Sequence, residues 1–284
     1  MTAPLKKPEW IRSRAPGGET WKKVNEILSL RGIRTVCDEA RCPNKGECWG
    51  MGTATFMILG GICTRRCRFC AVSSAKTGRP LRKNESTELA LTVKELELNY
   101  AVITSVDRDD LEDRGAGHFA HCIREIKEKN PPCKIEVLVP DYFGDELKIV
   151  SEAAPDVIAH NIETVRSLQK TIRDRRSSFD KSLRTLGEAK NSGILTKSSI
   201  LLGFGEREEE VLTAMDELLA VGVEILVIGQ YLQPSKNQIP VTEYLTPDTF
   251  VRLEKAALDR GFASVVSSPM ARTSYHALAA FDRA

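Results

Sequence analysis

Residues 54–70 read ATFMILGGICTRRCRFC, and the architecture of the whole chain can be worked out from them. Positions 54–59 form an apolar run long enough for one buried strand, and a glycine pair ends it. A polar loop carrying Cys63, Cys67 and Cys70 follows. The same succession, an apolar run rich in β-branched residues and then a polar turn, recurs at 101–105, 135–139, 156–160, 198–203, 223–228 and 263–267. Helical periodicity fills most of the gaps, most clearly over 86–98, 118–129, 181–191, 206–220 and 247–260, the last opening on Thr246-Pro247-Asp248. Strands alternating with helices of this length make parallel β/α units, which predicts an α/β protein built as a barrel or partial barrel. Polar residues collect just past the predicted strand ends. Ser105, Asp107 and Asp141 come first, then Asn161 with Glu163, then Gly203, Gly205 and Glu206, then Gln230 with Tyr231. In β/α barrels that rim is the active face.

A length of 284 residues suits one such barrel with appendages. With 42% apolar and 28% charged residues, the composition excludes collagen, coiled coil and wholesale disorder. The richest apolar stretch, 218–229, is interrupted by Glu224 and falls short of the roughly 18 residues a membrane span needs. The N-terminus MTAPLKKPEW lacks the apolar core of a signal peptide, so a cytoplasmic protein with no membrane contact is expected. A net charge of +2 is too small to point to nucleic acid. The charge is unevenly spread, however: residues 1–36 hold eight Lys/Arg against three Glu, a local +5 that leaves −3 for the rest. Such a basic arm suits an acidic protein partner or an anionic substrate group, and its plain alternative is a solvated leader.

Eight cysteines stand at 37, 42, 48, 63, 67, 70, 122 and 133, six of them within 34 residues. In a long chain from a reducing compartment, that clustering favours metal or redox use over disulfides. Two triplets result, Cys37-x4-Cys42-x5-Cys48 and Cys63-x3-Cys67-x2-Cys70. A structural zinc site normally closes on four ligands, so three thiolates leave it incomplete. In a four-iron cluster each iron takes one ligand, and a three-thiolate loop leaves one iron open to bind a substrate. Cys122 and Cys133 lack partners at useful spacing and read as small packed residues. His118, His121, His160 and His276 form no spaced metal set, and the first two read as helix surface.

The second triplet, with Phe69 before its last cysteine, is similar to the motif of radical S-adenosylmethionine (SAM) enzymes. The first triplet directly upstream narrows the likeness: TVCDEARCPNKGECWGMGTATFMILGGICTRRCRFC (35–70) resembles the lipoyl synthases. The likeness continues through ITSVDRDDL (103–111), IEVLVPDYFG (135–144), HNIETV (160–165), GQYLQPS (229–235) and ARTSYHA (271–277). Departures are mild. SILLGFGERE (199–208) replaces a glycine-leucine-methionine version, NQIPV (237–241) lacks a customary histidine, and Thr273 stands where the family has the first of two serines.

The resemblance implies a partial (β/α)6 TIM-like barrel at 51–262. It also implies an N-terminal extension (1–50) with an auxiliary 4Fe-4S motif, and a C-terminal segment (263–284) supplying a serine ligand. Cys63, Cys67 and Cys70 would hold the radical SAM 4Fe-4S cluster; Cys37, Cys42, Cys48 and Ser274 would hold the second. Asn161 and Glu163 are expected at the amino group and ribose of SAM, with Phe69 and the turn at Gly203, Gly205 and Glu206 also contacting that cofactor. The implied reaction inserts two sulfurs from the auxiliary cluster at C6 and C8 of an octanoyl-lysine, using two SAM. Implied partners are octanoylated lipoyl-carrier domains of 2-oxoacid dehydrogenases and the glycine cleavage H protein, a low-potential electron donor and an iron–sulfur carrier. Arg272 is expected at the cluster or in a surface ion pair, and Asp107, Asp109 and Asp110 in a polar network or a solvated loop. Two other readings remain: a different two-cluster radical SAM sulfur inserter, and a non-catalytic zinc module.

Overall fold

A computed structural model describes residues 5–284. Its contacts separate two compact units, one formed by 13–66 with 71–158, the other by 5–12, 67–70 and 159–284.

The first unit opens with α1 (Glu19–Arg31), whose apolar stripe Val24, Ile27 and Leu28 is buried and whose last turn is closed by Gly32 in the left-handed region. The chain continues through β1 (Arg34–Thr35), α2 (Val36–Glu39), α3 (Lys45–Gly50), β2 (Thr55–Ile58), α4 (Glu85–Glu95), β3 (Tyr100–Ser105), α5 (Ala116–Lys129), β4 (Lys134–Leu138) and α6 (Asp145–Glu152), and reaches the start of β5 (Val157–Ala159). β1 lies antiparallel to β2, with Thr35 opposite Phe56, while β2, β3 and β4 are parallel neighbours. α5 packs on α4 and on α6. Leu89, Val93, Phe119, Ile123 and Ile126 are removed from water on these helices, each stabilising the unit by about 1.5–3 kcal/mol. Cys122 and Cys133 are buried, as expected of small packed residues. His118 is a correction to its reading as helix surface. Its side chain is 12% exposed, and its Nε2 lies 2.8 Å from Glu85 Oε2, a partner 33 residues away.

The second unit takes up the end of β5 and runs through α7 (Gln169–Ile172), α8 (Phe179–Asn191), β6 (Leu195–Leu202), α9 (Glu208–Ala220), β7 (Ile225–Gln230), α10 (Pro247–Arg260), β8 (Ser264–Ser268) and α11 (Ala277–Phe281). Phe179, Leu186, Leu202, Met215, Leu218, Leu226, Phe250 and Leu253 form its core. Helix starts follow local chemistry: Ser178 accepts from the Lys181 amide at 3.2 Å, Pro247 occupies the first turn of α10, and three glutamates face the positive end of α9.

Strand order in the sheet is chain order, and β8 does not return to β1. From β2 to α10 the elements make six β/α repeats, with β8 closing the series. The fold is α/β with an unclosed, mostly parallel sheet, as the partial-barrel expectation requires.

Candidate active site

The loop after β2 is tied down residue by residue. Cys63 bridges to Ser74, its amide donating to Ser73 O at 2.9 Å and its carbonyl accepting from Ala75 at 3.1 Å. The Thr64 amide donates to Asp107 O at 2.9 Å, and the Thr64 hydroxyl donates to Asp109 Oδ2 at 2.7 Å. Arg65, 6% exposed, turns its guanidinium into a cage of carboxylates, meeting Asp109 at 2.9 and 3.2 Å, Asp141 at 2.6 Å and Asp107 at 3.3 Å. Arg114 also bonds Asp141. Asp107 and Asp109 follow β3 and Asp141 follows β4, so the strand ends hold the cysteine loop through one buried side chain. Burial pushes the Asp107 carboxyl above the usual carboxylate range; Arg65 opposes the rise, and Asp141 and Asp109 add to it. Asp107 and Asp109 therefore form a network with Asp141 rather than a solvated loop, while Asp110 serves a separate pair with Arg108 at 2.8 Å. The Arg65 amide donates to Cys63 Sγ at 3.4 Å, which is the type of N–H···S bond that tunes cluster thiolates.

Cys67, Phe69 and Cys70 belong to the other unit. The Asp174 amide donates to Cys67 Sγ at 3.3 Å, and Arg68 is bonded on both sides, its amide to Ile172 O at 2.8 Å and its carbonyl from Ile239 at 3.0 Å. The Phe69 ring meets Phe204 edge-on at 6.4 Å, and Phe204 stacks on Tyr231 at 4.4 Å. An aromatic wall thus backs the last cysteine.

The upstream triplet sits on helices. Thr35 caps α2, accepting from the Asp38 amide at 3.2 Å. Cys37 lies in α2, Cys48 in α3, and Cys42 between them, its amide donating to Cys37 O at 3.0 Å. The Cys37 thiol is pushed up to about 11 and Cys48 to about 12, in both cases by burial first and then by the neighbouring thiols. Against this, the neighbouring Thr55 amide and Trp49 indole favour the thiolate, although the indole N–H makes no hydrogen bond among the described residues. Trp49 faces Trp21 at 5.5 Å, and the Lys45 ammonium lies 4.1 Å from the Trp49 ring centroid. Thiols close enough to raise one another's pKa, one of them buried, fit thiolate ligands that charge when iron arrives. Among the described residues no three His, Cys, Asp or Glu side chains converge on one ion-sized point. A four-iron cluster does not require that convergence, since each iron takes its own thiolate.

Past β5, Asn161 Nδ2 donates to Glu163 Oε1 at 3.1 Å and to Thr273 Oγ1 at 2.9 Å. Asn161 is 8% exposed, and its Oδ1 is buried with no hydrogen-bond partner among the described residues. Glu163 is held at φ +65°, a strained value for a residue with a side chain, by bonding through its own backbone to Ser199 and Leu201 of β6. Burial lifts its carboxyl above the ordinary range, more than Arg173 lowers it. An acceptor without a donor, beside a carboxylate with a desolvation penalty, fits a ligand bearing an ammonium or hydroxyl groups.

The glycine turn after β6 is closely packed by its own chain. A Cβ on Gly203 would sit 2.1 Å from Gln230 Nε2 and 2.6 Å from Glu243 O, and one on Gly205 would touch Thr242. Glu206 folds back on its own turn, accepting from the Gly203 amide at 2.5 Å and the Phe204 amide at 3.0 Å. Gln230 spends its amide on Leu202, Tyr231, Glu243 and Leu245 backbone groups, so it is scaffold.

Residues 57–218 match the radical SAM superfamily. A lipoyl synthase from Bacteroides thetaiotaomicron is 48% identical over 98% of both chains. One from Anaeromyxobacter dehalogenans is 49% identical over 98% of this chain and 96% of that protein. The chain belongs to the lipoyl synthase family. A mitochondrial lipoyl synthase of Populus trichocarpa is 47% identical over 96% of this chain and 74% of its own length. Among solved structures, methylornithine synthase shares the fold at a TM-score of 0.59 and 15% identity, covering 85% of this chain and 77% of that one.

As a lipoyl synthase family member the chain is a radical SAM enzyme, and the family implies SAM and a 4Fe-4S cluster. Two residues escaped the sequence reading. Gly229 in β7 leaves room for the C-terminal segment, since a Cβ there would lie 2.1 Å from Ala271 O; a glycine inside a strand was the available signal. Arg65 was hidden because its partners lie 42 to 76 positions away. Arg272 spends one guanidinium nitrogen on Ala271 O at 2.6 Å, a local bond with a backbone carbonyl. Ser274 is half-buried between Thr273 and Tyr275.

Proposed function

We propose that the chain inserts two sulfur atoms at C6 and C8 of an octanoyl group carried on a protein lysine, consuming two SAM. The observation that carries this reading is the pair of cysteine triplets within a chain alike over its full length to lipoyl synthases. When bound, the cluster at Cys63, Cys67 and Cys70 supplies the electron that cleaves SAM to methionine and a 5′-deoxyadenosyl radical, and an auxiliary 4Fe-4S cluster supplies sulfide.

The chain's own residues do the positioning. Residues 1–50 contribute Cys37, Cys42 and Cys48 to the auxiliary cluster, 51–262 form the radical core, and 263–284 contribute Ser274 as fourth ligand. A serine oxygen is a harder and rarer iron ligand than thiolate, which suits an iron that has to leave. Glu163 and Asn161 receive the amino group and ribose hydroxyls of SAM, and the buried carboxylate attracts the ammonium more strongly than water-exposed charge would. Phe69 backs the radical cluster loop. The turn of Gly203, Gly205 and Glu206 presents backbone to the adenosyl group, with Glu206 holding the turn closed.

Partners are octanoylated lipoyl-carrier domains, which tend to be acidic and so suit the exposed Lys6, Lys7, Lys22 and Lys23. A low-potential donor and an iron–sulfur carrier complete the set, and the enzyme works in the cytoplasm. No helix of the described residues is long and apolar enough to cross a membrane.

The test is an anaerobic assay of the reconstituted protein with SAM, a low-potential reductant and an octanoyl-lysine peptide. Two sulfurs gained by the peptide, with 5′-deoxyadenosine formed alongside, are expected. Nucleoside formation with the peptide untouched, at an iron content of about eight per chain as two four-iron clusters require, would refute the substrate assignment.

A further inference from the structure

Asn161 has one carboxamide and two hydrogen-bonded neighbours. A carboxylate cannot donate, so the side of the amide facing Glu163 Oε1 at 3.1 Å must be Nδ2. The second Nδ2 hydrogen is taken by Thr273 Oγ1 at 2.9 Å, 112 positions along the chain. Both donors are thereby consumed, and Oδ1 is turned into a buried position where no described residue donates to it. The amide has been oriented so that its acceptor is left over for a ligand. Without Thr273, Nδ2 keeps one partner and the carboxamide regains rotational freedom about its terminal torsion, whose wells are broad.

Thr273 is equally notable for what it adjoins. It precedes Ser274, on a segment seated against Gly229 of β7 by the close approach of Ala271 O. The residues on either side are fastened locally, Arg272 to Ala271 O at 2.6 Å and the Tyr275 amide to Arg272 O at 2.8 Å. The Thr273 hydroxyl therefore joins a segment fixed in its backbone to the polar groups past β5.

We propose that Thr273 is a positioning residue for the SAM site, orienting Asn161 and making SAM affinity depend on how the segment carrying Ser274 is held. The inference rests on the assignments of Asn161, Glu163 and Ser274 made under the proposed function. Coupling of this kind is reciprocal: if the held serine segment favours SAM binding, bound SAM favours the held segment by the same factor.

The experiment is equilibrium dialysis of SAM against the unreduced, doubly reconstituted holoenzyme, so that no turnover contributes. Thr273→Val keeps the shape and removes the hydroxyl, whereas Thr273→Ser keeps the hydroxyl. Valine is expected to weaken SAM binding by about 3- to 10-fold, the range of one neutral hydrogen bond, and serine to stay within about twofold of the parent. In a double-mutant cycle, Ser274→Ala should shift SAM affinity when Thr273 is present and leave it unchanged in the valine background. Thermal denaturation of the valine variant should coincide with the parent, separating positioning from general loosening. Parental SAM affinity in Thr273→Val would overturn the proposal, as would additive effects in the cycle. If the parent holoenzyme binds no SAM, or forms only one cluster, it is the proposed function that fails.

Discussion

Residues 37–48 and 63–70 carry three cysteines each, yet the protein dresses them in opposite ways. Cys63 lies in a loop whose next two side chains enter a cage of three aspartates, with Arg65 buried at its centre and the Arg65 amide on the sulfur. Cys37 and Cys48 lie on short helices beside the paired rings of Trp21 and Trp49, with one ammonium over the rings. A charged cage with many fixed bonds resists rearrangement, because removing one member leaves a buried charge unpaired. Under the proposed function, the contrast suits one cluster that would survive every turnover and another that would give up its sulfide.

The largest break in that comparison comes from the cysteines themselves. Cys63→Ala, Cys67→Ala and Cys70→Ala together should abolish 5′-deoxyadenosine formation, while the same change at Cys37, Cys42 and Cys48 should retain it and lose all sulfur insertion. Chromatography of the nucleoside beside the peptide mass separates the two. Next in size is Arg65→Gln, which strands Asp107, Asp109 and Asp141 against one remaining arginine, Arg114. A loss of about 3–5 kcal/mol in denaturant unfolding is expected. A change below about 1 kcal/mol would mean that the cage contributes little.

Trp49→Phe keeps an aromatic ring but shrinks a buried indole that the Lys45 ammonium overlies, so the fold should lose about 1 kcal/mol. Iron of the 37–48 site should pass to a chelator faster, read by absorbance in a variant lacking the other three cysteines. Unchanged release would remove Trp49 from the description of that segment. The smallest lever is pH. Because burial raises the Glu163 carboxyl above the ordinary range, its neutral fraction grows as pH falls from 7 toward 5, and the attraction for an ammonium falls with it. SAM affinity should therefore drop on acidification in the parent, and stay flat in Glu163→Gln at a weaker level, measured by dialysis. A parallel pH dependence in both would assign the effect to another group.

Much of the framework was written in local pattern. All seven strands read from apolar runs are present, and the helix expected over 247–260 has those bounds, because Thr246-Pro247 starts it and Gly261 stops it. β6 begins at Leu195, earlier than expected, since Thr196 and Lys197 interrupt the apolar pattern although both are buried. α1 was passed over as a basic arm. Its stripe of Val24, Ile27 and Leu28 is a helical signal, but it is thin and diluted by lysines, and the helix has no side-chain cap at Gly18. The site divides along the same line. Cysteine spacing is local and was legible, whereas the Arg65 cage, the His118–Glu85 contact and the Asn161–Thr273 bond join residues 33 to 112 positions apart. At Gly203 the need for room is legible in the sequence, whereas the neighbours a Cβ would meet there, Gln230 and Glu243, lie 27 and 40 positions away.

The most direct test of the division of labour is to label the sulfur. The protein would be reconstituted with heavy-isotope sulfide, exchanged into unlabelled buffer, and turned over once with SAM, reductant and octanoyl-lysine peptide. The account predicts a product whose two inserted sulfurs are both heavy, and no sulfur insertion when Cys37, Cys42 and Cys48 are alanine. Light sulfur in the product, or heavy product from the alanine variant, would contradict it.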